Sequence, residues 1–252
     1  MQGNQEPIKA VFFDLGYTLI YFQGDFFKVV FESYLELADV LIQAGSQIDR
    51  IDFACRFSQK MTEYYHQREI DFLERPVDLI VKQILIENAQ NSVPDEIFQQ
   101  AMQAMYRVTE KNWLIEEDTH SVLQELLDSG YKLGLISNAS SSWDLNNLID
   151  NYDLRKYFTS ILISAEEGIR KPNPKIFQKA SDQMGLPLNT AVMVGDTLEA
   201  DILGAHNAGI RGIWISRRKT RPSEITNPKC NPDAEIASLT ELQPLLQRWN
   251  SQ

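Results

Sequence analysis

The stretch Ile8–Leu19, IKAVFFDLGYTL, is a short apolar run that ends at an aspartate and continues into a loop containing glycine. The part from Ile8 to Phe13 is almost wholly apolar, which is the pattern of a strand buried on both faces of a sheet. Asp14 follows at the carboxyl end of this predicted strand. In open α/β sheets, ligands bind outside the carboxyl ends of the strands, so the stretch predicts a central strand and a candidate site together.

The second half of the chain alternates short apolar runs with amphipathic helical patterns. Strands are predicted at Lys132–Ser137, Ser160–Ile163, Ala191–Val194 and Gly212–Ile215. Helices are predicted around Thr119–Ser129, Trp143–Asp150, Pro174–Met184 and Leu198–Ala208. This alternation is typical of an α/β fold, here a Rossmann-like parallel sheet with helices on both faces. The Ile8–Phe13 strand is predicted to belong to the same sheet.

Between the first strand and this alternating region, the pattern is helical only. Apolar residues from Phe26 to about Asn112 follow helical spacing, and Gly45, Pro76 and Pro94 lie where helices should stop or start. We predict four helices there and no strand. The chain is therefore expected to have an α/β core formed by residues 1–22 and 113–252, with a helical cap domain of residues 23–112 inserted into it.

Composition excludes several classes of function. The chain has 252 residues, with 24 Lys and Arg against 35 Asp and Glu, for a net charge of −11. So acidic a protein is not expected to bind nucleic acid or an anionic membrane, since both require a basic surface. Two cysteines do not make a disulfide framework, and the first residues lack the apolar segment of a secretory signal. We expect a cytoplasmic protein, either a monomer or a homodimer.

The predicted strand ends bring together a set of polar residues that suits phosphoryl chemistry. Asp14 follows the first strand, Ser137 and Asn138 follow the second, and Asp196 and Asp201 follow the Ala191–Val194 strand. Lys171 lies in the loop after Ser160–Ile163. Carboxylates can hold a divalent cation, while a hydroxyl, backbone N–H groups and an ammonium can hold phosphate oxygens. Each residue alone also has a structural explanation; for example, Asp196 and Glu199 match a helix capping box.

Four motifs, in order and with matching spacing, resemble those of the haloacid dehalogenase-like hydrolases. They are Asp14-Leu-Gly-Tyr-Thr18-Leu, Leu135-Ile-Ser137-Asn138, Gly168-Ile-Arg-Lys171-Pro172-Asn-Pro174-Lys-Ile-Phe177 and Val194-Gly195-Asp196-Thr-Leu-Glu-Ala-Asp201-Ile-Leu-Gly-Ala. The resemblance covers roughly Ile8 to Arg217. The helical insertion after the first motif resembles the four-helix cap of that superfamily.

This resemblance implies a phosphatase that acts on a small phosphorylated metabolite, for example a sugar phosphate. Asp14 would be the nucleophile that forms an aspartyl-phosphate. The resemblance also implies Mg²⁺, held by Asp14, the backbone carbonyl of Gly16 and Asp196, with Asp201 in support. The phosphate-binding and charge-neutralising groups would be Thr18, Ser137, the Asn138 backbone and Lys171.

The first motif departs from the usual phosphatase pattern, Asp-x-Asp, in which the second aspartate protonates the leaving group. Gly16 occupies that position here, and Tyr17 stands where glycine is usual. A backbone carbonyl can still contact the metal, so only acid–base catalysis is lost, which contributes about 10²–10⁴-fold. We therefore expect a preference for esters with good leaving groups. Tyr17, Tyr21 and Asp25 are candidates for a substitute acid.

Two alternatives follow from Gly16. The chain could be a catalytically impaired binding or regulatory protein that keeps the fold. It could also be a metal-independent 2-haloacid dehalogenase, because halide departure needs no proton. The intact set of Asp14, Lys171, Asp196 and Asp201 argues against the binding protein, and the Gly195–Asp201 motif, which suits a metal, argues against the dehalogenase.

Overall fold

The computed structural model describes residues 6–88, 93–218 and 227–251. Residues 1–5, 89–92, 219–226 and 252, which fall within the predicted domain ranges, lie outside the described residues. The strands are β1 Ala10–Phe13, β2 Ile20–Phe22, β3 Trp113–Ile115, β4 Lys132–Ser137, β5 Ser160–Ile163, β6 Ala191–Gly195, β7 Arg211–Ile215 and β8 Ala234–Ile236. The α-helices are α1 Phe26–Gln43, α2 Arg50–Asp71, α3 Val77–Glu87, α4 Asp95–Glu110, α5 Thr119–Asp128, α6 Ser142–Asn151, α7 Ser164–Glu167, α8 Pro174–Met184, α9 Leu203–Asn207 and α10 Leu242–Asn250.

Six strands form a parallel sheet in the order β5-β4-β1-β6-β7-β8. The first strand lies in the middle, paired with β4 on one side and β6 on the other. Its side chains alternate between two buried clusters: Val11 and Phe13 pack on one face of the sheet, and Ala10 and Phe12 on the other. Burial on both faces explains why this strand is almost wholly apolar. The predicted α/β fold is confirmed.

Helices α1 to α4 form a separate module with a hydrophobic cluster of its own, which includes Leu37, Leu41, Phe53 and Phe57. All four lie where the helical spacing predicts. Asp25 and Asp49 cap the first two by accepting hydrogen bonds from backbone N–H groups of the first turn. The division of the chain into two domains stays a prediction.

Several elements were not predicted from the sequence. Strands β2 and β3 pair antiparallel where the chain enters and leaves the helical module, β8 extends the main sheet, and α10 is the last helix of the described residues. Three-residue strands are too short to show a period. The helix expected at Leu198–Ala208 is divided into a π-helical turn, Leu198–Ile202, and α9. Across the described ranges, we find no helix long and apolar enough to span a membrane.

Candidate active site

The candidate site lies at the carboxyl edge of the sheet, where three neighbouring strands end. Asp14 follows β1, Ser137 ends β4 and Asp196 follows β6, so the strand order itself brings these residues together. They line a cavity of about 730 Å³ that extends between the sheet and the helical module. A crevice beside the central strand of a parallel sheet is the usual place for a ligand in this fold class.

Lys171 is the centre of the site. Its Nζ lies 2.7 Å from Asp14 Oδ1 and 2.7 Å from Asp201 Oδ1, and its side chain is only 1% exposed. The side-chain amide of Asn138 binds both backbone groups of Lys171. Its Oδ1 accepts a hydrogen bond from the Lys171 N–H at 2.9 Å, and its Nδ2 donates one to the Lys171 carbonyl at 3.0 Å. The ammonium group is thus fixed beside the Asp14 carboxylate.

Asp196 and Asp201 are held by the tight turn after β6. The Thr197 N–H donates to Asp201 Oδ2 at 2.9 Å, and the indole of Trp214 donates to the Asp196 carbonyl at 2.8 Å. A Cβ on Gly195 would lie 2.2 Å from Asp201 Oδ2, so only glycine lets the Asp201 carboxylate approach the strand end. The helix begins after Thr197, not Asp196, so the capping-box explanation of Asp196 is wrong.

The site's electrostatics reflect burial of several charges in a small space. Burial, together with the Asp201 and Asp196 carboxylates, raises the pKa of Asp14 to about 7 despite the lowering effect of Lys171. Burial alone would lower the pKa of Lys171, but Asp14 and Asp201 outweigh it and raise that pKa. Lys171 therefore stays charged, while Asp14 needs additional positive charge to be fully ionised at neutral pH.

The carboxylates of Asp14, Asp196 and Asp201 fit a divalent cation. One oxygen from each lies within 4.8 Å of the others, and carboxylate oxygens are the ligands that Mg²⁺ prefers. Lys171 balances one of the three negative charges, so two remain, which matches the charge of a divalent ion. The donor chemistry and the charge both agree with the metal that the resemblance implies.

Gly16 faces an aromatic wall. A Cβ at this position would meet the ring of Trp113 at 3.4 Å, and the Tyr17 ring packs edge-on against the same indole, with centroids 5.5 Å apart. Tyr17 has a φ of 58°, in the left-handed region, which costs a non-glycine residue about 1 kcal/mol. This left-handed conformation explains why glycine is usual at the position that Tyr17 occupies in this chain. The surface next to Gly16 therefore presents an indole edge rather than an acid.

Seven of the eight predicted site residues line the cavity; they are Asp14, Gly16, Ser137, Asn138, Lys171, Asp196 and Asp201. Thr18 does not line it. Its side chain is fully buried, and its hydroxyl has no hydrogen-bond partner among the described residues. Of the three candidate acids, Tyr17 lines the cavity, whereas Tyr21 packs against Arg218 and Asp25 caps α1.

Sequence reasoning missed several residues of the cavity wall. Asp144 lies on α6, inside a correctly predicted helix, but nothing in its spacing distinguished it. Tyr65 lies on α2, is 40% exposed and lines the cavity. Arg68 and Arg170 also line it. Of these residues, Arg170 alone had a sequence signal, since it immediately precedes Lys171.

Comparison with known proteins agrees with this geometry. The family model "haloacid dehalogenase-like hydrolase" matches residues 8–209. A glyceraldehyde 3-phosphate phosphatase of Methanopyrus kandleri is 31% identical over 239 residues, which are 93% of this chain and 95% of that protein.

Solved structures share the fold over nearly the whole chain. A 2-haloacid dehalogenase of Pseudomonas syringae superposes with a TM-score of 0.68 at 26% identity, covering 96% of this chain and 99% of that one. A phosphatase of Thermococcus onnurineus superposes with a TM-score of 0.63 at 24% identity, covering 95% and 98%. Phosphatases and dehalogenases are thus both found on this fold.

Proposed function

The chain belongs to the haloacid dehalogenase-like hydrolases, and on that premise we propose that it is a Mg²⁺-dependent phosphatase. Its substrate is a small phosphorylated metabolite, and the reaction proceeds through an aspartyl-phosphate on Asp14. The observation that carries this proposal is the set of Asp14, Asp196 and Asp201 carboxylates around the buried ammonium of Lys171. The related glyceraldehyde 3-phosphate phosphatase supports a phosphate monoester as substrate.

The first step is attack of an Asp14 carboxylate oxygen on phosphorus. The bond from phosphorus to the ester oxygen breaks, and the leaving group departs with the bonding electrons. Lys171, already 2.7 Å from Asp14, neutralises charge on the transferring phosphoryl oxygens, and the Ser137 hydroxyl at the end of β4 orients them. Water then attacks the phosphorus and releases inorganic phosphate and the Asp14 carboxylate.

A divalent ion would be held by Asp14, Asp196 and the Gly16 carbonyl, with Asp201 in support. When bound, it supplies positive charge that favours the ionised nucleophile and screens the phosphate oxygens. Asp201 contacts Lys171 and accepts from the Thr197 N–H, so its further role is to fix the position of both the lysine and the turn that carries Asp196.

The aromatic wall at Gly16 limits the leaving group. Trp113 borders the position at which an acid would act, so the departing oxygen takes its proton from solvent. The loss of a positioned acid lowers the rate of alkyl ester hydrolysis by about 10²–10⁴-fold. It lowers the rate little for esters whose leaving group is stable as an anion. We expect aryl and anomeric phosphates to be the faster substrates.

The test is steady-state hydrolysis of p-nitrophenyl phosphate, glucose 1-phosphate and glucose 6-phosphate with Mg²⁺. We expect turnover that EDTA abolishes, that Asp14→Asn loses, and that is faster on the first two esters. No turnover above the Asp14→Asn background would contradict the proposal and favour a binding or regulatory protein. Metal-independent halide release from a 2-haloacid would favour the dehalogenase alternative.

A further inference from the structure

A second charged region lines the cavity where the helical module meets the sheet. The segment after α2 runs antiparallel to the loop before Lys171: Leu73 forms a β-bridge with Ile169, and the Arg170 N–H donates to the Phe72 carbonyl at 3.3 Å. This contact brings the last turn of α2 against Arg170. Arg68 lies on that turn, so two guanidinium groups from different parts of the chain lie close together.

One carboxylate in this region is permanently engaged. Glu74 has a fully buried side chain and accepts hydrogen bonds from the Ser164 hydroxyl at 2.9 Å and from the Tyr64 hydroxyl. It also lies 3.5 Å from Arg68 Nη1 and 3.4 Å from Arg170 Nε. A single carboxylate balances only one of the two guanidinium charges. One positive charge is left for another anion.

Glu69 now supplies that anion, and it is held loosely. Its Oε1 accepts from Arg170 Nη1 at 2.6 Å and lies 3.8 Å from Arg68 Nε, but the Glu69 side chain is 61% exposed. Exposed ion pairs contribute about 0–1 kcal/mol, so Glu69 can move into solvent at little cost. Arg170, by contrast, is only 7% exposed and keeps its position.

Both arginines retain hydrogen-bonding capacity. Each guanidinium carries five N–H donors. The buried Nε atoms lie beside carboxylates, Arg68 Nε at 3.8 Å from Glu69 Oε1 and Arg170 Nε at 3.4 Å from Glu74 Oε2, so the Nη groups are the donors that can meet another anion. The Arg68 guanidinium also lies over the Tyr65 ring, 4.2 Å from its centroid, and this stacking holds it at the cavity wall. Guanidinium groups with free donors suit planar anions such as carboxylates.

We propose that Arg68 and Arg170 form a second anion subsite that binds a carboxylate of the substrate. The substrate class is then a phosphate monoester that also carries a carboxylate, and Glu69 occupies the subsite until the substrate displaces it. This inference rests on the proposed function, because it assumes that the phosphoryl group binds at Asp14 and Lys171. The Glu69 carboxylate shows that the subsite accommodates such a group.

The test compares two probes that differ at one position. Binding of 3-phosphoglycerate and of glycerol 3-phosphate to the full-length Asp14→Asn protein is measured by calorimetry with Mg²⁺, so no turnover is needed. We expect 3-phosphoglycerate to bind at least about tenfold more tightly, since a hydrogen bond to a charged group is worth that factor. Adding Arg68→Gln should abolish this advantage. Adding Glu69→Gln should tighten the binding of 3-phosphoglycerate and leave the binding of glycerol 3-phosphate unchanged.

The control is Arg56→Gln, on the same helix, where the arginine pairs with Glu87 away from the cavity. It should leave both affinities unchanged. Equal binding of the two probes, or an advantage that survives Arg68→Gln, would overturn the subsite. A separate measurement tests the proposed function. If the unaltered protein shows no Mg²⁺-dependent hydrolysis of p-nitrophenyl phosphate, the proposed function fails, whatever the binding experiment shows.

Discussion

The carboxyls of Asp144 on α6 and Glu110 at the end of α4 form a pair beside the cavity, and this pair predicts an unusual dependence of stability on pH. Burial, together with the hydrogen-bonded Glu110 carboxyl, raises the pKa of Asp144 to about 8. Oδ1 of Asp144 is shielded from solvent and has no hydrogen-bond partner among the described residues. The perturbation is Asp144→Asn, which keeps the shape and removes the titration.

The magnitude follows from proton linkage. An aspartate in the unfolded chain titrates near 3.8, so between that value and about 8 the folded protein holds one more proton than the unfolded chain. The free energy of unfolding therefore falls as the pH rises, by about 1.4 kcal/mol per pH unit. From pH 5 to pH 7 the loss is about 3 kcal/mol, and the loss levels off roughly one pH unit above the folded-state pKa.

The assay is urea unfolding of the parent protein and of Asp144→Asn at pH 5, 6, 7 and 8. The variant should gain stability relative to the parent by about 3 kcal/mol between pH 5 and pH 7. Asp150→Asn is the control on the same helix. Its carboxylate pairs with Arg155 at 2.6 Å, and that hydrogen bond lowers its pKa, so its variant should not gain stability as the pH rises. A pH-independent difference for Asp144→Asn would refute the reasoning.

Three further predictions concern the candidate site. Gly16→Asp should raise the ratio of kcat on glycerol 3-phosphate to kcat on p-nitrophenyl phosphate by about 10²-fold. The new Cβ lies 3.4 Å from the Trp113 ring, so a slight movement of that ring makes room for the carboxyl. An unchanged ratio in steady-state kinetics would contradict the role given to Gly16. Gly195→Ala should weaken Mg²⁺ activation severely, because its Cβ would lie 2.2 Å from Asp201 Oδ2; normal activation in a Mg²⁺ titration would show that the clash is relieved. Mg²⁺ should raise the melting temperature of the parent protein and not that of Asp196→Asn, since the ion offsets repulsion among the carboxylates; an equal shift in both, by thermal denaturation, would place the ion elsewhere.

The fold was predictable because its signals are local. The β1 strand is apolar on both faces, and the later predicted strands β4 to β7 are bounded by glycine or polar residues. The strand ends then place Asp14, Ser137 and Asp196 together without any distance being known. Strands β2 and β3 escaped prediction because each has three residues, and their pairing is set by where the helical module leaves the sheet.

The wall of the cavity was not predictable, because it depends on contacts between distant segments. Arg68 and Arg170 are far apart in sequence and are brought together by the contact between the segment after α2 and the loop before Lys171, which includes the Leu73–Ile169 bridge. Trp113 borders Gly16 because β3 pairs with β2. Asp144 acquires its raised pKa from burial and from Glu110 on another helix. No spacing rule on a single segment carries this information.

The central claim is that Asp14 becomes phosphorylated, and rapid mixing with p-nitrophenyl phosphate tests it most directly. With Gly16 in place of a base, hydrolysis of the aspartyl-phosphate should be slower than its formation. We predict a burst of p-nitrophenolate close to one equivalent of enzyme, and a phosphoryl group on the peptide that contains Asp14 after acid quenching. Asp14→Asn should show neither. Steady turnover without a burst and without a phosphorylated peptide would contradict the account.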